Sequence, residues 1–174
     1  MKTIGVLGAG TWGMALAKVL AEAGNCVTVW SAIEREIDEF SVTRKHPNLP
    51  GMQIPESILF TKDIAQVCTH QDFLLFAVPS VFVRGTSRKA APYIPDGQVI
   101  IDVAKGIEPD TLFTMSRIIM DELNRDNAHA NVKVVALSGP THAEEVAKDL
   151  PTFIVSACED LSVAENVQAV FMNN

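Results

Sequence analysis

The sequence predicts an α/β fold in which a doubly wound, mainly parallel sheet is covered by helices on both faces, all within a single domain. Three observations predict it. Apolar runs alternate with helical patterns along the whole chain, which calls for crossover helices between parallel strands. Most of these runs are continuous, as strands buried on both faces are, rather than alternating. A glycine turn, Gly8-Ala9-Gly10-Thr11-Trp12-Gly13, stands between the first apolar run and the first helical pattern.

The first strand is expected over Thr3–Leu7, and the glycine turn follows it directly. Gly8 permits the tight turn, Gly10 leaves the backbone open to a ligand, and Gly13 lets the next helix pack against the strand. That helix, Thr11–Ala23, closes at Gly24 and returns the chain to a second strand, Cys26–Trp30, as a βαβ unit. Further strands are expected over Phe73–Val78, Val99–Val103, Val132–Leu137 and Thr152–Ala157. Helices fill the intervals at Ile33–Ser41, Ile64–Thr69, Val81–Ala91, Thr111–Arg125, Ala143–Lys148 and Ser162–Val170. The turn-rich stretch Lys45–Gly51 reads as a surface connection.

A strand that feeds a glycine turn opening a helix aims backbone N–H groups and a helix dipole at an anion. In this Rossmann-like setting the anion is a dinucleotide pyrophosphate, so NAD or NADP is the expected cofactor. Gly8, Gly10, Thr11, Trp12 and Gly13 are the first candidate contacts.

Composition narrows the partners. With 174 residues, 48% of them hydrophobic, the chain is long enough to bury a real core as one dinucleotide-binding domain over residues 1–174. A formal charge of −7 argues against nucleic acid or an anionic membrane as partner, so a bound phosphate must be held by local donors. The start of the chain does not read as a signal peptide, and no apolar run has the length of a membrane span, which makes the cytoplasm the expected compartment. Cys26, Cys68 and Cys158 have no metal-type spacing and read as buried small hydrophobes. His46, His70 and His129 are scattered, and no metal site is expected.

In a doubly wound sheet, ligands sit beyond the carboxyl ends of the strands. After the second strand no acid stands in Val29-Trp30-Ser31-Ala32, while Ser31 and the nearby Arg35 could accommodate a 2′-phosphate, which gives NADPH a mild preference. Ser80, after Pro79, reads as a helix cap. Lys105, followed by Gly106, is a lone cation at a strand end and suits a phosphate or hydroxyl. Ser138-Gly139-Pro140-Thr141-His142-Ala143 reads as a helix start whose N–H groups near Gly139, Thr141 and Ala143 face the same cleft. His142 reads as a surface residue or one supporting the cleft from behind.

Taken together, these motifs resemble the N-terminal half of the bacterial-type NAD(P)-dependent glycerol-3-phosphate dehydrogenases. Gly8 to Ala17 resembles the family's opening, Lys105-Gly106-Ile107-Glu108 its internal lysine motif, and Ser138 to Ala147 followed by Pro151-Thr152 its third signature. The resemblance implies hydride transfer between a nicotinamide and a small phosphorylated substrate, interconverting dihydroxyacetone phosphate and sn-glycerol 3-phosphate for phospholipid synthesis. It implies that Thr11, Trp12 and Ala143 contact the cofactor, that Gly139 and Thr141 contact the substrate, and that Lys105 lies near both. It leaves room for a homodimer in the intact enzyme.

Two departures stand out. Ala32 occupies the place where many relatives carry histidine or arginine. The family's helical substrate domain, with the lysine that acts as general acid/base, is expected beyond Asn174, so no catalytic residue is assigned in this chain and the fragment is expected to bind without turning over. The alternatives are a non-catalytic dinucleotide-binding module, or another dehydrogenase of the same superfamily.

Overall fold

A computed structural model describes residues 1–172. The strands are β1 (Thr3–Leu7), β2 (Cys26–Trp30), β3 (Leu59–Thr61), β4 (Phe73–Phe76), β5 (Val99–Asp102), β6 (Lys133–Ser138) and β7 (Val155–Ala157). The helices are α1 (Thr11–Glu22), α2 (Glu34–Thr43), α3 (Ile64–Cys68), α4 (Ser80–Ala90), α5 (Met115–Leu123), α6 (Ala143–Val146) and α7 (Leu161–Phe171). The strands form one sheet in the order β3-β2-β1-β4-β5-β6-β7. All neighbours are parallel except β7, which runs antiparallel to β6.

The order reverses at β1. The chain moves outward from β1 through β2 to β3, then crosses back to place β4 on the other side of β1. Leu7 pairs with Trp30 on one side and Phe76 on the other, and Phe76 pairs in turn with Asp102. The carboxyl ends of four strands therefore open at one level around the switch point, where doubly wound sheets bind ligands.

Each face of the sheet carries its own core. On one, Ile4, Val6, Val29, Leu75, Ile101 and Val135 pack with Met14 and Leu20 of α1, Phe40 of α2 and Val167 of α7. On the other, Leu7, Leu74, Phe76 and Ile100 pack with Val67 of α3, Val83 of α4 and Ile118, Ile119 and Leu123 of α5. Within β4, Phe73 and Leu75 serve one core while Leu74 and Phe76 serve the other, as the two-residue period of a strand requires. Burying each such side chain contributes about 1.5–3 kcal/mol. Alternating apolar and polar residues would have left one core empty.

Several expectations need correction. The three-residue edge strand β3 is absent from the predicted set, because it is short and its Leu59 is exposed. The last strand is shorter than Thr152–Ala157 and turns antiparallel. The helix expected from Thr111 starts at Met115, since Leu112 takes a left-handed backbone with φ of 58° and Thr114 caps the helix by accepting from the Arg117 N–H. Lys45–Gly51 is more than a surface connection, for Leu49, Met52 and Ile54 in and just after it are buried in the first core. Cys26 is exposed, and only Cys68 is fully buried, where desolvation pushes its thiol up to about 12.

Candidate functional site

The glycine turn shows three different constraints. Gly8 has φ of +122°, and a Cβ there would lie 2.8 Å from the carbonyl of Ala77 in the chain that follows β4. A Cβ on Gly13 would lie 2.1 Å from the Gly8 oxygen, so α1 can approach the turn only through a glycine. Around Gly10 there is open space. Gly10 also caps α1 with no side-chain hydrogen bond, and helix geometry leaves the first N–H groups without partners inside the helix. An uncapped helix start beside open space fits an anionic ligand.

Two adjacent cavities meet at this turn and share Gly10, Ala77, Val78 and Pro79 in their walls. One, of about 520 Å³, is lined by Thr11, Trp12, Lys105, Thr141, His142 and Ala143. The other, of about 370 Å³, is lined by Ser31, Ala32, Ile33, Glu36, Phe82 and Lys89. Their junction at Gly10 suits an elongated ligand with its charge in the middle, as a dinucleotide has. The indole N–H of Trp12 is buried without a hydrogen-bond partner, a further donor in the wall of the first cavity.

Lys105 reaches this cavity from the end of β5. Its ammonium donates to the Gly139 carbonyl at 3.2 Å and to Thr141 Oγ1 at 3.4 Å, so Lys105, Gly139 and Thr141 come together as a unit. The Thr141 N–H turns back onto the Gly139 oxygen at 2.9 Å. It is therefore not the free donor the sequence suggests, and the polar character of this corner comes from the lysine and the threonine hydroxyl. α6 starts at Ala143, where the helix is expected, with His142 as its cap residue and Pro140 outside it, and it ends at Val146, short of Lys148.

The loop bearing Lys105 is pinned at both ends. On the β5 side, Asp102 accepts from the Ala104 N–H at 3.0 Å and from Ser116 Oγ at 2.6 Å. Burial pushes the Asp102 carboxyl above its ordinary range, against these two hydrogen bonds. On the far side, Arg84 of α4 grips Glu108, and both belong to a cluster with Asp121, Glu122 and Arg88. Burial pushes Glu122 up, but the hydrogen bonds from Arg88 and Arg84 and the charge of Arg125 outweigh it and hold the carboxyl below its usual value. Ser80 opens α4 as its first residue rather than capping it, and its Cβ lies 2.9 Å from where a Gly106 side chain would begin.

In the second cavity Ser31 is committed. Its hydroxyl donates to Glu36 Oε2 at 2.6 Å and accepts from the Ile33 N–H at 3.1 Å. Arg35 is exposed and lies outside the lining residues. Glu36 is an acid about 20 residues beyond the glycine turn, but it stands in the first turn of α2 and not at the strand end, where the sequence pattern expects one. Nothing local in the sequence marks Asp102 or Arg84, for Ser116 and Glu108 lie 14 and 24 residues away from them. His46, which the sequence leaves without a role, is buried against Phe40, and its Nδ1 accepts from the Asn48 N–H at 3.2 Å.

Among the described residues no three metal-ligating side chains cluster, and no helix is long and apolar enough to cross a membrane.

Comparison with known proteins agrees with this fold. A glycerol-3-phosphate dehydrogenase (NAD(P)+) of Lactobacillus delbrueckii subsp. bulgaricus is 66% identical over 173 residues, covering 99% of this chain and 51% of the relative. One from Agathobacter rectalis is 44% identical over 174 residues, covering 99% of this chain and 50% of the relative. The chain thus spans about half the length of the curated relatives it matches. A crystal structure of glycerol-3-phosphate dehydrogenase from Coxiella burnetii superposes with a TM-score of 0.89 at 27% identity, covering 99% of this chain and 51% of that one. The family described as NAD-dependent glycerol-3-phosphate dehydrogenase N-terminus matches residues 3–164, and this chain belongs to it.

Proposed function

We propose that this chain is the dinucleotide-binding half of an sn-glycerol-3-phosphate dehydrogenase, in which dihydroxyacetone phosphate and sn-glycerol 3-phosphate are interconverted. The observation that carries the reading is that Lys105 and Thr141, with the lysine also donating to the Gly139 carbonyl, line the cavity that begins at the uncapped start of α1. One cavity thus combines a site for a pyrophosphate with a cation for a second, smaller anion.

A bound nicotinamide supplies or accepts the hydride at the middle carbon of the substrate. The residues of this chain bind and orient. Gly8, Gly10, Thr11, Trp12 and Gly13 would hold the dinucleotide, with Ala143 facing it across the cavity. Lys105 would donate hydrogen bonds to the substrate and stabilise negative charge on its oxygen as the hydride arrives. Gly139 and Thr141 fix the lysine by accepting from it, which costs nothing at the moment of reaction because the bonds already exist. The proton on that oxygen we assign to a group in the half of the relatives' length that this chain does not span. On this reading the reductive direction supplies glycerol phosphate for phospholipid synthesis in the cytoplasm.

Binding tests the proposal directly. NADH should quench the tryptophan fluorescence of the chain, and dihydroxyacetone phosphate should bind the NADH-loaded protein. Lys105→Ala should weaken the phosphorylated ligand by about tenfold or more while leaving NADH affinity within about twofold. If NADH does not bind, the dinucleotide reading is wrong; if Lys105→Ala leaves the second ligand untouched, the substrate assignment is wrong.

A further inference from the structure

We propose that Glu36, held by Ser31, selects a dinucleotide with a free ribose 2′-hydroxyl and rejects one with a 2′-phosphate, so that this chain prefers NADH to NADPH. The inference rests on the dinucleotide reading and names which member of the class the site takes.

The argument starts from which end of the ligand each cavity receives. The cavity with Lys105 and Thr141 carries the polar groups suited to substrate, and so it takes the nicotinamide end. The other cavity takes the adenosine end. Its walls include Ile33, Val81 and Phe82, which are 56%, 80% and 61% exposed. Three large apolar side chains left open to water at one place suit a flat, weakly polar ring such as adenine.

The charges in that cavity then decide between the two ribose forms. Glu36 projects from the first turn of α2 into its wall, and Ser31 Oγ donates to one carboxylate oxygen, Oε2, at 2.6 Å. Ser31 is buried and accepts from the Ile33 N–H, so its own orientation is fixed and the carboxylate is held at the end of β2. The other carboxylate oxygen remains an acceptor, and a ribose diol offers donors to it. A 2′-phosphate offers none and brings a second negative charge against the first. Arg35, the cation that would have favoured the phosphate, is exposed and outside the lining. Lys89 also lines the cavity, from α4, but it is exposed and makes no hydrogen bond to Glu36, so solvent screens its charge.

The test is calorimetric titration of the unaltered chain with NADH, NADPH, 5′-AMP and adenosine 2′,5′-bisphosphate. NADH should bind at least about tenfold more tightly than NADPH, and 5′-AMP more tightly than the bisphosphate by a similar factor. The adenosine pair isolates this cavity from the nicotinamide end. Glu36→Gln keeps the shape and an acceptor for Ser31 but removes the charge, and should close the gap mainly by strengthening NADPH. Equal affinities in the unaltered chain, or tighter NADPH, would overturn the inference. So would a ratio that Glu36→Gln leaves unchanged in a variant that melts as the parent does. Failure of all four ligands to bind would overturn the dinucleotide reading itself, and this inference with it.

Discussion

Arg84 holds Glu108 by a two-pronged ion pair, Nε to Oε1 at 2.7 Å and Nη2 to Oε2 at 2.6 Å, and so ties α4 to the loop that carries Lys105. The fork geometry matters, because a guanidinium can satisfy both carboxylate oxygens while a lysine ammonium cannot. Its remaining nitrogen, Nη1, reaches Asp121 at 2.6 Å and Glu122 at 2.8 Å on α5. A single side chain thus spans three elements.

Replacing Arg84 should therefore disturb the loop more than the fold. Arg84→Lys keeps a charge near Glu122 but loses the fork on Glu108. We expect NADH affinity within about twofold of the parent, binding of dihydroxyacetone phosphate to the NADH complex weakened by about threefold to tenfold, and a melting temperature lowered by about 2–6 °C. Unchanged binding of the phosphorylated ligand would show that Lys105 needs no support from this side.

Acid should release the same clamp. Hydrogen bonds from Arg84 and then Thr111 hold the Glu108 carboxyl down from 4.5 to about 2. A carboxyl with a depressed folded value adds stability that is complete above its unfolded value and is lost as pH falls. The window here runs from about 4.5 down to about 2. Carbon-detected NMR of the Glu108 carboxyl should give a midpoint near the lower figure, returning toward the upper one in Arg84→Ala. A midpoint near 4.5 in the unaltered chain would mean that the pair does not form in solution.

The two inner glycines of the opening turn should separate ligand from fold. Gly10→Ala places a methyl in open space at an ordinary backbone conformation, so the melting temperature should stay within about 3 °C while NADH affinity falls by about tenfold or more. Gly13→Ala drives a methyl to within 2.1 Å of the Gly8 oxygen and should destabilise the chain by about 1–3 kcal/mol. Urea titration with and without NADH checks both. Equal destabilisation by the two variants would contradict the distinction.

These tests also mark what the sequence could and could not reveal. β1, β2, β4, β5 and β6 were legible because strands buried on both faces must be apolar throughout, and the glycine turn because its chemistry is written in consecutive residues. Lys105 was legible as a lone cation at a strand end. Arg84 and Glu108 were not, for their pairing joins residues 24 apart in sequence, and nothing local distinguishes either from a solvated charge. Leu112 was placed inside a helix because its composition permits one, whereas its left-handed backbone serves the hairpin-like contact of Glu108 with Phe113. Glu36 escaped for a different reason. The acid was sought at the strand end, but only the fold shows that the first turn of α2 delivers it to the same cavity.

His46 provides the last test, and it joins the segment misread as a surface connection to the glycine turn. Its Nδ1 accepts from the Asn48 N–H at 3.2 Å, so the neutral ring carries its proton on the other nitrogen. Burial pushes the imidazole below its ordinary range, against the opposing pull of the Ala9 backbone and the charges of Glu36 and Glu39. A base with a depressed folded value binds its proton first in the unfolded chain, so stability is full above about pH 6.5 and declines as pH falls below it. The ring also packs on Phe40, with centroids 5.0 Å apart. His46→Phe retains that packing but leaves the Asn48 N–H without its partner. We expect a loss of about 1–3 kcal/mol at pH 7.5, a smaller loss at pH 5.5, and weaker NADH binding at both. Urea unfolding at the two pH values measures the difference. An equal loss at both would show that the ring acts here by its shape and not by its proton.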